Sequence, residues 1–431
     1  MPVIDAVRPL APPAAAPRAT PKPMRIAFLS YRSDPKVGGQ GVYLTQAAAA
    51  LARRGHKVDI LSGPPYPRLP EGVRLVQIPS LDLYAQPHNG QRALRWRHLR
   101  SWADTSEYFG HVSGKFMEPA TFGRRAARYL RDHVRDYDVV LDNQSLCDGL
   151  LEIESAGLPV VGVIHHPIRR DLEFALAAEP RWGMRLLARR WYGFLAMQER
   201  VAPRLRQVIT VSQASAKDVS RYLSVQAARI ATVPIGIDGD LFKPQPGVAR
   251  LPARLVTTAS ADVPLKGLKY LIEAFAGLIE TRPTLELVVV GRARKGPTLD
   301  LLEALNLSDR VRFVHDLSGE ALAALYASAT ICVTPSLYEG FGLPAAEAMG
   351  CGAPVVVTDG GALPEVVGEA GVVAAKGDAA ALMAAIGALL DDPVRRRDMG
   401  AAGIARAQRH FSWDRVAERY DGILRQAIAS C

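Results

Sequence analysis

The stretch Ser336-Leu-Tyr-Glu-Gly-Phe-Gly-Leu-Pro-Ala-Ala-Glu347 sets two carboxylates, Glu339 and Glu347, eight positions apart, with Gly340, Gly342 and Pro344 between them. The apolar run Thr330-Ile-Cys-Val-Thr334 before it reads as a buried strand. Proline's fixed φ suits a first helical turn, so a helix is expected to start near Pro344. Glu339 then lies on a glycine loop after a strand, and Glu347 lies early on the next helix. Unpaired backbone N–H groups and the positive end of a helix dipole converge at such a place. An anion flanked by hydroxyls, such as a nucleotide sugar, suits it.

Outward from that loop, the 431-residue chain reads as two α/β halves. The first opens with the strand Arg25-Ile-Ala-Phe-Leu-Ser30, a loop holding Gly38-Gly39-Gln40-Gly41, an alanine-rich helix from Val42 to Arg54, and the strand Lys57-Val-Asp-Ile-Leu61. Further strands are expected at 138–141, 159–164 and 207–211, with mostly helical segments at 90–135 and 169–206. Turn formers cluster in Pro234-Ile-Gly-Ile-Asp-Gly-Asp-Leu-Phe-Lys-Pro244, the expected interdomain linker. The second half restarts the alternation, with strands at 254–259, 285–290, 311–314, 330–334 and 354–358 and helices at 268–281 and 378–390. This pattern predicts an N-terminal domain over 24–240 and a C-terminal domain over 245–410, each a parallel sheet with helices on both faces. Their strand C-termini would face a common cleft. The segment from 411 to 431 reads as an amphipathic helix packing back on the first domain. Residues 1–23, rich in Ala and Pro, read as a disordered leader.

Hydrophobic residues make up 48% and charged residues 22%, the balance of a soluble globular protein. Four scattered cysteines show no metal or disulfide spacing, which points to a reducing cytoplasm. Residues 1–243 hold 34 Lys+Arg against 22 Asp+Glu, and residues 244–431 hold 19 against 21. The net +10 therefore belongs to the first half, which is expected to meet something anionic. Two of its segments, 91–135 and 169–206, combine arginines with Trp96, Trp102, Tyr108, Trp182, Trp191, Tyr192 and Phe194. Such helices can lie on an anionic membrane, peripherally on its inner face, or can pack on their own sheet with charges solvated. No nucleic-acid-binding motif accompanies the charge.

The ordered set of motifs resembles the retaining glycosyltransferases of the GT-B fold, family 4, with their Glu-x7-Glu signature. The resemblance rests on Glu339–Glu347, on Gly350-Cys-Gly-Ala-Pro-Val-Val-Val-Thr-Asp-Gly-Gly-Ala-Leu-Pro-Glu365, and on Val211-Ser-Gln-Ala-Ser215, Pro234–Asp238, Lys266-Gly-Leu-Lys-Tyr-Leu-Ile-Glu-Ala-Phe275 and Phe411-Ser-Trp413. It implies two Rossmann-like, doubly wound domains and a transferase moving a sugar from a nucleotide-sugar donor to an acceptor hydroxyl on a glycan, lipid-linked or small molecule.

The resemblance also implies roles. Glu339 would grip donor-sugar hydroxyls, and the backbone of Gly340, Phe341, Gly342 and Leu343 would hold sugar and diphosphate. Glu347 would accept from the ribose, and Lys266 would neutralise the leaving diphosphate. His165, in Val163-Ile-His-His-Pro167, would lie across the cleft near the attacking hydroxyl; His166 stays open. Gly38 and Gly39 match the glycine loop near the diphosphate, although alone they read equally as a tight turn. No metal and no cofactor is expected. The leaving phosphate would help deprotonate the acceptor in a same-face attack. The family's Gly-Arg before the lysine is replaced by Ser260 and Ala261, and Arg292, Arg294 and Lys295 are the conjectured substitutes. Glu365 reads as a structural carboxylate favoured by a helix dipole. A sugar-phosphate synthase or phosphorylase on the same fold, and a binding protein with a degenerate site, are the alternatives.

Overall fold

The computed structural model describes residues 22–33, 39–86, 90, 92–259, 263–293 and 296–431. Among these are two sheets in which every strand pairing is parallel. Most of the leader, Gly38, Ser260, Ala261, Arg294 and Lys295 lie outside the described residues.

The first sheet comprises β1 (Arg25–Ser30), β2 (Lys57–Ser62), β3 (Val73–Gln77), β4 (Val139–Asn143), β5 (Val160–Ile164), β6 (Gln207–Thr210) and β7 (Ile230–Thr232), in the order β3-β2-β1-β4-β5-β6-β7. The second comprises β8 (Arg254–Thr258), β9 (Glu286–Val290), β10 (Val311–Val314), β11 (Ile331–Thr334), β12 (Val355–Thr358) and β13 (Val372–Ala374), in the order β10-β9-β8-β11-β12-β13. Central strands are buried because helices cover both faces; β4, β5, β11 and β12 are buried at every residue. In each sheet the order reverses once, between β1 and β4 and between β8 and β11. Beyond the strand C-termini at such a reversal, the connecting loops part and leave a crevice for a ligand.

The helix Gly39–Arg53 follows β1 and begins three residues earlier than the sequence reading placed it. The helix Trp413–Ala429 starts under the hydroxyl of Ser412, which accepts from the Arg415 N–H, and packs against Gly39–Arg53. Tyr43 and Tyr420 meet there through their hydroxyls, and the Trp413 ring lies 5.9 Å from that of Tyr43. His56 and Arg425 both meet the Asp421 carboxylate at 3.0 Å. The chain thus crosses between the domains twice, and the crossings are joined where the Ile237 N–H donates to the Phe411 carbonyl at 2.7 Å. One apolar cluster runs through this junction, from Tyr43 by Trp413 and Phe411 to Phe341.

Trp413 is buried at that junction, and deleting its ring leaves a cavity that neither domain can close. Trp413→Ala is expected to cost about 3–5 kcal/mol. Trp182→Ala, at an exposed position, is expected to stay within about 0.5 kcal/mol of the parent. Denaturant titrations of the two variants check this.

Candidate active site

On the second domain the loops after β8 and β11 are tied together by the Leu337 N–H, which donates to the Leu265 carbonyl at 2.8 Å. Lys266 ends the 3-10 turn Pro264–Lys266, and Gly267 separates it from the helix Leu268–Thr281. The lysine therefore stands just before that helix rather than in it. Its Nζ donates to Glu339 Oε1 at 2.7 Å, and Ser336 Oγ donates to the same oxygen at 2.8 Å. The Glu339 side chain is 13% exposed and that of Lys266 31%, so the pair faces the crevice from a partly dry wall.

Gly342 caps the helix Leu343–Gly350 with φ of +103°, a left-handed conformation that a side chain would strain. Pro344 lies in the first turn, as its fixed φ favours. The N–H groups of Gly340, Phe341 and Gly342 donate to no acceptor among the described residues. Glu347, one turn into the helix, lies 3.5 Å from the Tyr326 hydroxyl, which shares a 2.8 Å hydrogen bond with Thr258 at the end of β8. Burial pushes the Glu347 carboxyl up to about 8.

On the first domain His165 follows β5. Its backbone N–H donates to Gln144 Oε1 at 2.7 Å, and its Nε2 lies 2.8 Å from Asn143 Oδ1. The Asn143 amide nitrogen is directed at Ser30 Oγ and the Gln40 carbonyl, so its oxygen faces the ring and Nε2 carries the proton. The ring also stands edge-on to Tyr43, with centroids 4.5 Å apart. Burial lowers the His165 pKa to about 3, which keeps the ring neutral. The Gln40 contact brings the start of the helix Gly39–Arg53, and so Gly39, beside this group. His166 is paired instead with Asp171 at 3.0 Å.

The two walls touch. The Gly340 carbonyl accepts from Ser212 Oγ at 2.7 Å and Ser215 Oγ at 3.0 Å. A Cβ at Gly340 would stand 2.7 Å from the His165 carbonyl oxygen, so only glycine allows this approach. The Glu365 carboxylate accepts from the N–H groups of Gln213 and Ala214, each at 2.9 Å, at the start of the helix Gln213–Leu223. Glu365 lies in the first turn of its own helix Leu363–Val367, as expected of it, and its carboxylate also meets the positive end of a helix of the other domain. Tyr338 donates to Asp218 at 2.7 Å while the Arg170 guanidinium lies 4.9 Å from its ring centre. Of this clamp, sequence reasoning gave roles to Gly340 and Glu365 and quoted Val211–Ser215 without one; Ser336 was quoted only as the start of its motif, and Tyr326, Asn143, Gln144, Tyr43, Tyr338, Asp218 and Arg170 were not singled out.

Other expected members stand apart. Arg292 follows β9, is exposed, and holds Asp316 at 2.6 Å. The Phe341 ring is buried edge-on against Phe411, with centroids 5.4 Å apart, so only its backbone faces the crevice side. Leu343 is the first residue of its helix and packs against the core. Among the described residues no three His, Cys, Asp or Glu side chains gather as metal ligands.

Two facing doubly wound domains with a charged pair at one reversal point define a GT-B glycosyltransferase. The profile described as "Glycosyl transferases group 1" matches residues 243–406, and that described as "Glycosyl transferase 4-like domain" matches residues 38–236. The chain belongs to the group 1 glycosyltransferase family and is an enzyme of that kind. It is 45% identical over 410 residues to an MMP alpha-(1->4)-mannosyltransferase of Mycolicibacterium hassiacum, covering 94% of this chain and 99% of that protein. It is 28% identical over 448 residues to a D-inositol 3-phosphate glycosyltransferase of Kineococcus radiotolerans, with 94% and 95% covered. In three dimensions it resembles a sucrose-phosphate synthase from Thermosynechococcus elongatus, with a TM-score of 0.67, 24% identity and 95% and 100% of the chains covered. It also resembles HepE of Anabaena in complex with UDP-glucose, with a TM-score of 0.66, 20% identity and 95% and 100% covered.

Glu347 links the site to pH. Its folded pKa of about 8 lies above the ordinary carboxyl value of 4.5, so the folded chain keeps a proton that the unfolded chain releases. Its contribution to stability therefore falls as pH rises from about 4.5 to about 8. Relative to the parent, Glu347→Gln is expected to gain melting temperature steadily across that window. Parallel melting curves at all pH values would contradict the assignment.

Proposed function

We propose that the chain transfers a mannosyl group from a nucleotide-diphosphate donor to a saccharide hydroxyl, forming an α-(1→4) bond with retention and without a metal. The observation that carries the reading is the Lys266–Glu339–Ser336 group at the β8/β11 reversal, beside the unengaged N–H groups of 340–342. The choice of sugar and linkage is supported by the mannosyltransferase relative, and the nucleotide-sugar donor by the UDP-glucose held by a protein of the same fold.

In this reading the donor's diphosphate lies against Lys266 and the N–H groups of Gly340, Phe341, Gly342 and Leu343. Charge that builds on the leaving oxygen meets a fixed cation and fixed dipoles, which need no reorganisation as the bond breaks. Glu339 accepts from sugar hydroxyls and Glu347 from the ribose; both are acceptors when ionised. The C1–O bond to the phosphate breaks as the acceptor oxygen bonds to C1 on the same face. The acceptor's proton passes to the departing phosphate oxygen. His165, neutral and fixed by Asn143, Gln144 and Tyr43, shapes the acceptor side without carrying charge. Gly39 brings the start of the first-domain helix toward the diphosphate.

Lys266→Ala is expected to lower kcat by about 10²–10³ with a smaller change in KM, since its charge is used as the phosphate leaves. Glu339→Gln is expected to abolish transfer, with folding retained. Kinetics with mannosyl donors of different bases, followed by NMR of the product anomer, check this. A β-linked product from an α-donor would overturn retention, and activity lost to a chelator and restored by magnesium would overturn metal independence. Turnover with free phosphate as acceptor would favour a phosphorylase.

A further inference from the structure

The helix Trp182–Trp191 has no buried residue, yet five of its ten residues are Trp, Met or Leu. A helix so short is marginal in water, and apolar side chains left around it favour whatever covers them. Trp182 is 82% exposed. Its charged residues are Arg185, Arg189 and Arg190, with no carboxylate on the helix.

A second uncovered run adjoins it. The turn Trp96–Arg100 also buries nothing, and Trp96 is 88% exposed. The helix Trp102–Val112 continues that run with Trp102 and Phe109 in solvent. The two runs meet where the Arg190 guanidinium donates to the Ser113 carbonyl, Leu187 packs over Gly114, and the Phe116 N–H donates to the Trp191 carbonyl at 3.4 Å. Among the described residues Arg97, Arg100, Arg124, Arg185 and Arg189 have no carboxylate within ion-pair distance, and Arg124 lies 4.1 Å over the Trp102 ring. Behind Trp102 opens a cavity of about 890 Å³ lined by five arginines against three carboxylates, wide enough for phosphate headgroups.

We propose that this face docks on an anionic lipid surface, with the indole and leucine side chains entering the headgroup layer and the arginines meeting lipid phosphates. Charge decides the occupant: a second copy seated face to face would oppose arginine with arginine. The surface is narrower than the segments 91–135 and 169–206. The helices Glu118–Asp132 and Leu195–Val201 send core residues inward, and Arg200 is spent on Asp148. The helix Arg169–Ala178 leads into Trp182–Trp191 and packs against the turn Pro264–Lys266, so docking would set the mouth of the cleft beside the membrane. The inference stands independently of which donor is used.

Co-sedimentation of the full chain tests it, with vesicles of phosphatidylcholine containing phosphatidylglycerol and with phosphatidylcholine alone, at low and physiological salt. Binding to the anionic vesicles that weakens with salt is expected. Trp182→Ser with Leu186→Ser, and Arg185→Ala with Arg189→Ala, are each expected to weaken it about tenfold or more, with unchanged melting temperature. No binding to anionic vesicles at low salt, equal binding to neutral ones, or indifference to both pairs of substitutions would overturn the proposal. A concentration-dependent dimer dissolved by Trp182→Ser would overturn it in favour of a homotypic interface.

Discussion

The carbonyl of Gly340 reaches out of the second domain and takes the hydroxyls of Ser212 and Ser215 from the first. That contact is possible because residue 340 has no side chain to strike the His165 carbonyl. Both walls of the cleft are positioned from it. One residue back along the chain is Glu339, gripped by Lys266 and Ser336; directly beneath is His165, gripped by Asn143 and Gln144. The Glu365 carboxylate on the helix Gln213–Leu223 and Tyr338 on Asp218 add charge-assisted bonds around the same seam. Such bonds are shorter and stronger than neutral ones, but water at the cleft can replace each of them. The seam is therefore suited to closing over a donor and reopening, with hinge motion expected of this fold class.

The site separates charge by function. His165 is held neutral by burial, and Glu347 holds its proton up to about pH 8 until hydrogen-bond donors reach it. The ion pair that faces the crevice is Lys266 with Glu339. A diphosphate arriving there would compete with Glu339 for the lysine, and sugar hydroxyls would compete with the lysine for Glu339. Each partner is thus kept ready by the other, at a low desolvation cost while the cleft is empty.

Much of the fold could be read from residues because the central strands are buried on both faces and appear as short Val-rich runs, as in β5 and β12. The strands that escaped reading were β3, β7 and β13, all at sheet edges. Edge strands are short and half exposed, so Arg74 and Gln77 in β3 hide the pattern, and three residues in β7 or β13 carry almost none. At the site, Glu339 and Glu347 stood out through the glycine and proline punctuation between them, and Lys266 and His165 were singled out only through the family resemblance of their motifs. Their supports were not: Tyr326, Thr258, Asn143 and Tyr43 look like ordinary core residues until the fold brings them in from distant positions. Glu365 was read as a carboxylate at the start of a helix and does open its own helix Leu363–Val367, but nothing local could say that it also caps a helix of the other domain.

The return of the helix Trp413–Ala429 to the first domain has a consequence for biosynthesis. Tyr43 waits for Tyr420, its hydroxyl partner, which is added 377 residues later. During translation the apolar flank of Gly39–Arg53 therefore emerges early and stays uncovered while the entire second domain is made. The first domain cannot complete its core in the order of synthesis, so the nascent chain presents a sticky helix for tens of seconds at ordinary ribosomal speed, roughly 5–20 residues per second. An early stop codon anywhere before Trp413 would leave that flank open for good, and the product would be a client for chaperones rather than a shorter enzyme.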